Sequence, residues 1–143
     1  MNIPAKTVFF TIEKTIKTYR KFSQKNISSV VSDITIDQKL VLQYLDSNPD
    51  LNQKQIEYLV FKDKASMTRI INNMVDKDYL KRRVNEEDRR SFKIEISVKG
   101  KEVLKKLPPV IMSNRKRAFA GISEEELIQL ERTLNKILSN LNQ

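Results

Sequence analysis

Two short stretches of this 143-residue chain carry side chains suited to exchanging hydrogen bonds and charge with a polar partner. The first is Ser66, Thr68, Arg69, Asn72 and Asn73, whose spacing puts them on the outer face of one helix. Arg and Asn are the side chains with bidentate pairings to guanine and adenine in the major groove. The second is Asp88-Arg89-Arg90, in the charged run that starts at Asn85. An arginine-tipped loop suits the narrow, strongly negative minor groove, and Asp88 would hold a guanidinium by a charge-assisted bond. Each stretch taken alone also has a plain reading. Residues 64–77 read more simply as a solvated helix face, and residues 85–90 as an ordinary charged hairpin. Met67 and Met74, at helical spacing, read as core filler.

Composition narrows the chemistry further. The chain has no Cys and no His. It therefore has no disulfide framework, no thiolate nucleophile and no zinc-thiolate cluster, and it lacks the commonest general base and metal ligand. Two glycines are too few for a Gly-rich phosphate cradle. A carboxylate pair such as Glu86 and Asp88 would be the best seed for catalysis, but acids on a loop with Arg89 and Arg90 read as ion-paired. Binding rather than catalysis is expected, with no enzyme activity, no cofactor and no metal.

The net charge of +9 suits nucleic acid or an anionic membrane surface, and on its own fits a well-solvated lysine-rich surface as well. The charge is uneven. Residues 61–98 carry ten basic and seven acidic groups, whereas residues 99–119 carry seven basic and one acidic. The later block reads as a solvated helix face that adds long-range attraction for phosphate. No run of 18 apolar residues is present, and Glu13, Lys14 and Lys17 interrupt the apolar N-terminal stretch. Neither a membrane span nor a signal peptide is expected, and the expected location is cytoplasmic.

The elements that must position these side chains follow from periodicity. Val8, Phe9, Ile12, Ile16, Tyr19 and Phe22 predict a long amphipathic helix from Pro4 to about Val31. Thr35 with Gln38 forms a capping box for a second helix, which Ser47-Asn48-Pro49-Asp50 ends. Asn52 with Gln55, and Leu51 with Ile56, open a short helix through Val60. Asp63 caps a fourth, with Met67, Ile70, Ile71, Met74 and Val75 inside. After Asp78 the period changes to two, giving strands at Leu80–Val84 and about Phe92–Ile96. Ser97 caps a further helix, which Pro108-Pro109 should kink or split. Ser123 with Glu126 opens the last, whose Leu127, Leu130, Leu134, Ile137, Leu138 and Leu141 approach an a/d seam. A short helix, a tight turn, a polar-faced helix and a charged hairpin form the order of a winged helix-turn-helix. The fold class expected is mainly α with a small β-hairpin wing.

The residues of the wing resemble the signature of the MarR (multiple antibiotic resistance regulator) family, Asp-x-Arg, five residues, Leu-Thr, two residues, Gly. Asp88, Arg90 and Gly100 match, and Ile96-Ser97 stands for Leu-Thr. Asp63 to Arg69 resembles the start of that family's recognition helix, and Met74 to Leu80 its exit into the wing. The resemblance spans nearly the whole chain. It implies a homodimeric regulator of double-stranded DNA, with N- and C-terminal helices (1–33 and 98–143) as dimerisation region and 34–97 as DNA-binding lobe. By matched position, Ser66, Thr68 and Arg69 approach the major groove, Arg90 enters the minor groove with Asp88 holding it, and Asn52 and Gln53 meet phosphate. Lys62 and Lys64 join them on charge and location.

The resemblance further implies a repressor on an inverted repeat, released by a small anionic or aromatic effector in a crevice that Tyr19 and Tyr44 could line. Both tyrosines also read as helix-packing residues. The last helix's leucine seam could instead cap the chain's own core. Lacking Cys and His, this chain has neither the thiol switch nor the zinc sensing of some family members. Two further readings stay open, a sequence-tolerant architectural DNA-binding protein and a winged-helix module that docks protein.

Overall fold

The computed structural model describes residues 3–88 and 92–142. Six helices and one hairpin run in the order α1 (Ile3–Ser28), α2 (Ile36–Ser47), α3 (Gln53–Val60), α4 (Lys64–Asp76), β1 (Leu80–Val84), β2 (Phe92–Ile96), α5 (Val98–Ala118) and α6 (Glu124–Leu141). The caps fall where the sequence puts them. Thr35, Asn52 and Ser123 form full capping boxes with Gln38, Gln55 and Glu126. Asp63 and Ser97 accept from the backbone N–H groups of Ser66 and Gly100. Each cap satisfies helix-terminal donors that would otherwise lack a partner.

The core is continuous from the ends of α1 and the start of α5 into the helix-turn-helix. It includes Ile27, Val41, Leu42, Leu45, Ile56, Met67, Ile71, Met74, Leu80 and Leu107, each at most 2% exposed. Met67 and Met74 are thus core residues, as their spacing predicts. The two strands pair antiparallel, Leu80 with Ile96 through Val84 with Phe92. Only the root of the hairpin is anchored: Leu80 and Ile94 are buried, whereas Val84 and Phe92 are exposed.

Two expectations are corrected. α1 ends at Ser28 rather than near Val31, because Val30 and Val31 both donate to the Ile27 carbonyl in a closing turn. α5 runs unbroken through Pro108 and Pro109. Both prolines lie on the exposed side, so water can serve the carbonyls they free. The opposite side anchors the helix. Val103, Leu107 and Asn114 are buried there, and Asn114 bonds Asn26 (2.8 Å) and Ser23 (3.2 Å) of α1.

The wing meets the helices at a tight junction. Tyr79 N donates to the Met74 carbonyl (2.8 Å), and its own carbonyl accepts from Ser97 N (3.1 Å). A Cβ on Gly100 would lie 2.4 Å from that Tyr79 carbonyl oxygen and 2.8 Å from Ile96 Cγ2. Only glycine lets α5 start this close to the wing root. The Tyr79 hydroxyl donates to Asp33 in the α1–α2 turn. Lys77 Nζ donates to the Asp33 carbonyl (2.6 Å), and Lys99 Nζ stands 4.7 Å over the Tyr79 ring. Burial, then the bond to Asp33, pushes the Tyr79 phenol up to about 12, and the same bond holds the Asp33 carboxyl below its ordinary value.

Three outcomes follow. Gly100→Ala should lower stability in urea unfolding by about 1–3 kcal/mol, since the clash is with backbone that has no rotamer to move. Phe61→Gly should raise stability by about 1 kcal/mol, because Phe61 is left-handed (φ 59°) and 90% exposed, so little packing is lost. Tyr79's raised pKa predicts a contribution that is complete below the unfolded tyrosine pKa of about 10 and lost as pH rises toward about 12. A pH series comparing wild type with Tyr79→Phe should show the stability difference shrinking over that interval.

Candidate nucleic-acid interface

α4 owes its position to its buried face, where Met67, Ile71 and Met74 lock into the core. Its other face is thereby turned outward, with Arg69 and Asn72 exposed and Ser66 and Thr68 half-buried. Asp63 starts the helix by accepting from Ser66 N (2.7 Å), a bond that lowers its carboxyl pKa. Lys64, next in sequence, is exposed. The helix N-terminus therefore carries donors and a positive charge, which suits an anionic partner.

The outward side chains do not hang freely. Arg69 Nη2 lies 3.4 Å from Ser66 Oγ. Gln53 Nε2 of α3 donates to Thr68 Oγ1 (3.0 Å). Arg82 of β1 donates to Asn72 Oδ1. Gln38 Nε2 of α2, itself 5% exposed, donates to Asn73 Oδ1 (2.7 Å). Three elements, α2, α3 and β1, thus meet on one face of α4.

Between the wing and the α3–α4 unit lies a groove of about 1210 Å³. Asn52, Gln53, Lys64 and Thr68 line one side, and Arg82, Arg83 and Phe92 the other. Its wing side is held by Arg83 with Glu95 (2.8 Å) and, at its rim, Lys93 with Asp50 (3.8 Å). These surface pairs shape the groove more than they stabilise it.

Of the residues singled out by sequence, Asn52, Gln53, Lys64 and Thr68 line this groove, and Ser66, Arg69, Asn72 and Asn73 lie along the adjoining helix. Asn52 is also committed to its cap, accepting from Gln55 N (2.9 Å). Lys62 is drawn away, pairing at 3.2 Å with Asp37, which also binds Arg20 of α1 (2.6 Å). Asp88 is exposed in the hairpin loop. Arg89 and Arg90 lie outside the described residues.

Sequence reasoning passed over Arg82, Arg83 and the second task of Gln38. The basic run Lys81-Arg82-Arg83 in β1 is the signal for the two arginines. Nothing local signals Gln38, because its partner Asn73 is 35 residues away.

Residues 32–91 match the MarR family model. The chain also superposes on solved structures of near-equal length. AbsC, a MarR family transcriptional regulator from Streptomyces coelicolor, is 17% identical with a TM-score of 0.86, covering 99% of this chain and 97% of its own. The Staphylococcus aureus MepR–DNA complex is 21% identical at a TM-score of 0.79, covering 99% of each chain. Bordetella bronchiseptica BpsR, whose DNA binding is regulated by 6-hydroxynicotinic acid, is 18% identical at 0.81, covering 91% of each. Those identities speak for a shared fold. The family match falls on the segment that holds α2, α3, α4 and β1, and the full-length likeness around it shows that the chain shares the winged helix-turn-helix fold of the MarR regulators it resembles.

Proposed function

We propose that this regulator is a homodimeric repressor that reads an inverted repeat in double-stranded DNA and is released by a small anionic effector. The observation that carries the reading is the α4 face. Ser66, Thr68, Arg69 and Asn72 stand outward beside a groove whose wing wall holds Arg82 and Arg83. A helix flanked by a basic wing matches the width of a major groove and its adjoining phosphates. Asn52, Gln53, Lys62, Lys64, Asn73, Asp88, Arg89 and Arg90 complete the proposed contact set. MepR was solved bound to DNA, which supports the same use of the fold here.

Residues 1–33 and 98–143 are proposed as the dimerisation region and 34–97 as the DNA-binding lobe. The support is uncovered apolar surface. α6 buries none of its residues in its own chain, and Ile128, Leu130, Leu138 and Leu141 are at least half exposed. In α1, Phe9, Phe10 and Ile16 are equally bare. Two copies joined through these faces would cover both and set two α4 helices about one DNA turn apart, roughly 34–36 Å. For the effector, α1, α2 and α5 bring Arg20, Lys39 and Arg115 within electrostatic reach, and burial and the two arginines hold Lys39 below its ordinary pKa. An anion there would relieve that crowding. The regulation of BpsR by 6-hydroxynicotinic acid supports an effector of this class.

Gel shifts on a duplex enriched from a random pool test the DNA reading. Arg69→Ala should weaken binding by about 1–3 kcal/mol, and Lys64→Ala should reduce the log–log salt slope by about one. Equal affinity of both variants and wild type at all salt concentrations contradicts the reading. Sedimentation tests the dimer: wild type should run at twice the chain mass, and Phe10→Glu with Leu130→Glu at the chain mass. A wild-type monomer at micromolar concentration would rule the assembly out.

A further inference from the structure

We infer that the reading face of α4 is set in advance as a hydrogen-bond donor surface, and that Arg82 and Gln38 set it by occupying the carboxamide oxygens of Asn72 and Asn73. This rests on the DNA-reading function proposed above and names the base edges that it selects.

The orientation of both carboxamides is fixed by chemistry. A guanidinium only donates. The atom of Asn72 that meets Arg82 is therefore its oxygen, Oδ1. Gln38 has both ends of its amide assigned. Its Oε1 accepts from the Thr35 backbone N–H (3.1 Å), closing the capping box that starts α2. Its Nε2 is what remains to face Asn73, so Asn73 also presents its oxygen inward, at 2.7 Å. In each asparagine the Nδ2 amino group then points away from the bond, toward solvent. Thr68 continues the pattern, because its Oγ1 already accepts from Gln53 Nε2 and its hydroxyl hydrogen is left to donate.

Adenine is read by asparagine through both halves of the amide, with Oδ1 accepting from N6 and Nδ2 donating to N7. The bond from another element takes one of the two Oδ1 lone pairs and turns the oxygen toward its donor, which disfavours that bidentate pairing. Amino groups, a hydroxyl and the Arg69 guanidinium together suit edges that accept. Guanine offers two such acceptors, N7 and O6, and thymine offers O4, whereas adenine sets its N7 acceptor beside the N6 donor, so guanine and thymine are favoured. The fixed orientation also removes side-chain freedom before binding, which lowers the ordering cost on contact.

The test is selection of duplexes from a randomised pool by the full-length protein, repeated with variants. Asn72→Ala and Asn73→Ala mark the base positions that each residue reads. At those positions wild type should select guanine or thymine. Arg82→Met frees the Asn72 oxygen and should shift the Asn72 position toward adenine by roughly fivefold or more, whereas Arg82→Lys, which still donates, should keep the wild-type preference. Gln38→Glu keeps the cap but accepts where glutamine donates, so it should turn Asn73 over and favour adenine at the second position. If Gln38→Glu does not fold, the exposed Arg82 pair decides alone. Adenine at the marked positions in wild type, or no change on Arg82→Met, overturns the inference while leaving the DNA reading intact. A wild-type selection that enriches no sequence overturns the DNA reading and this inference together.

Discussion

The arrangement depends on one close approach. α5 starts so near the wing root that the Gly100 position leaves no room for a Cβ against the Tyr79 carbonyl oxygen. At the same point, Ser97, only 3% exposed, caps α5 through Gly100 N (3.0 Å) and donates to the Asp78 carbonyl. Tyr79 ties the exit of α4 to β1 and reaches Asp33 in the α1–α2 turn. Backbone from α4, β1, β2 and α5 therefore converges within a few ångströms. A shift of α5 relative to this point would carry the wing with it.

That convergence fixes the wing root against α4, whose outward face is tied to its neighbours. α4 is held below by Met67, Ile71 and Met74, and from above its polar side chains are held by α2, α3 and β1. The same logic ties the lobe to the long helices. Asp37 of α2 joins Arg20 of α1 to Lys62 in the turn before α4. A rearrangement of α1 thus has a direct ionic route to the helix-turn-helix, as well as the Asp33–Tyr79 route to the wing. Both routes run through groups that are part-buried, where screening by salt is weaker than at the surface.

Local chemistry made most of the fold legible. Capping residues, the switch from helical to alternating periodicity after Asp78, and the turn at Pro49 each act within a few residues, so the element order and the strand bounds followed from the chain itself. Pro108-Pro109 misled for a physical reason. The cost of a proline depends on whether its freed carbonyls reach water, and that depends on the α1 packing opposite, through Ser23 and Asn26 some 90 residues away. The candidate site divides the same way. The identity of the outward residues on α4 was readable from period alone. Their restraint was not, because Arg82 and Gln38 reach them only after the wing and α2 have packed. The charge and location of Lys62 were readable too, but its pairing with Asp37 was not, because only the tertiary fold brings the two together.

The central claim is that the α4 face enters the major groove of DNA. Methylation interference on a selected duplex tests it directly, since methyl groups at guanine N7 stand in the major groove and those at adenine N3 in the minor groove. The account predicts two clusters of interfering guanines, centred about 10 base pairs or a multiple apart, one for each α4 of a dimer. Interference confined to adenine N3, or none at either position on a duplex that still binds, would contradict it.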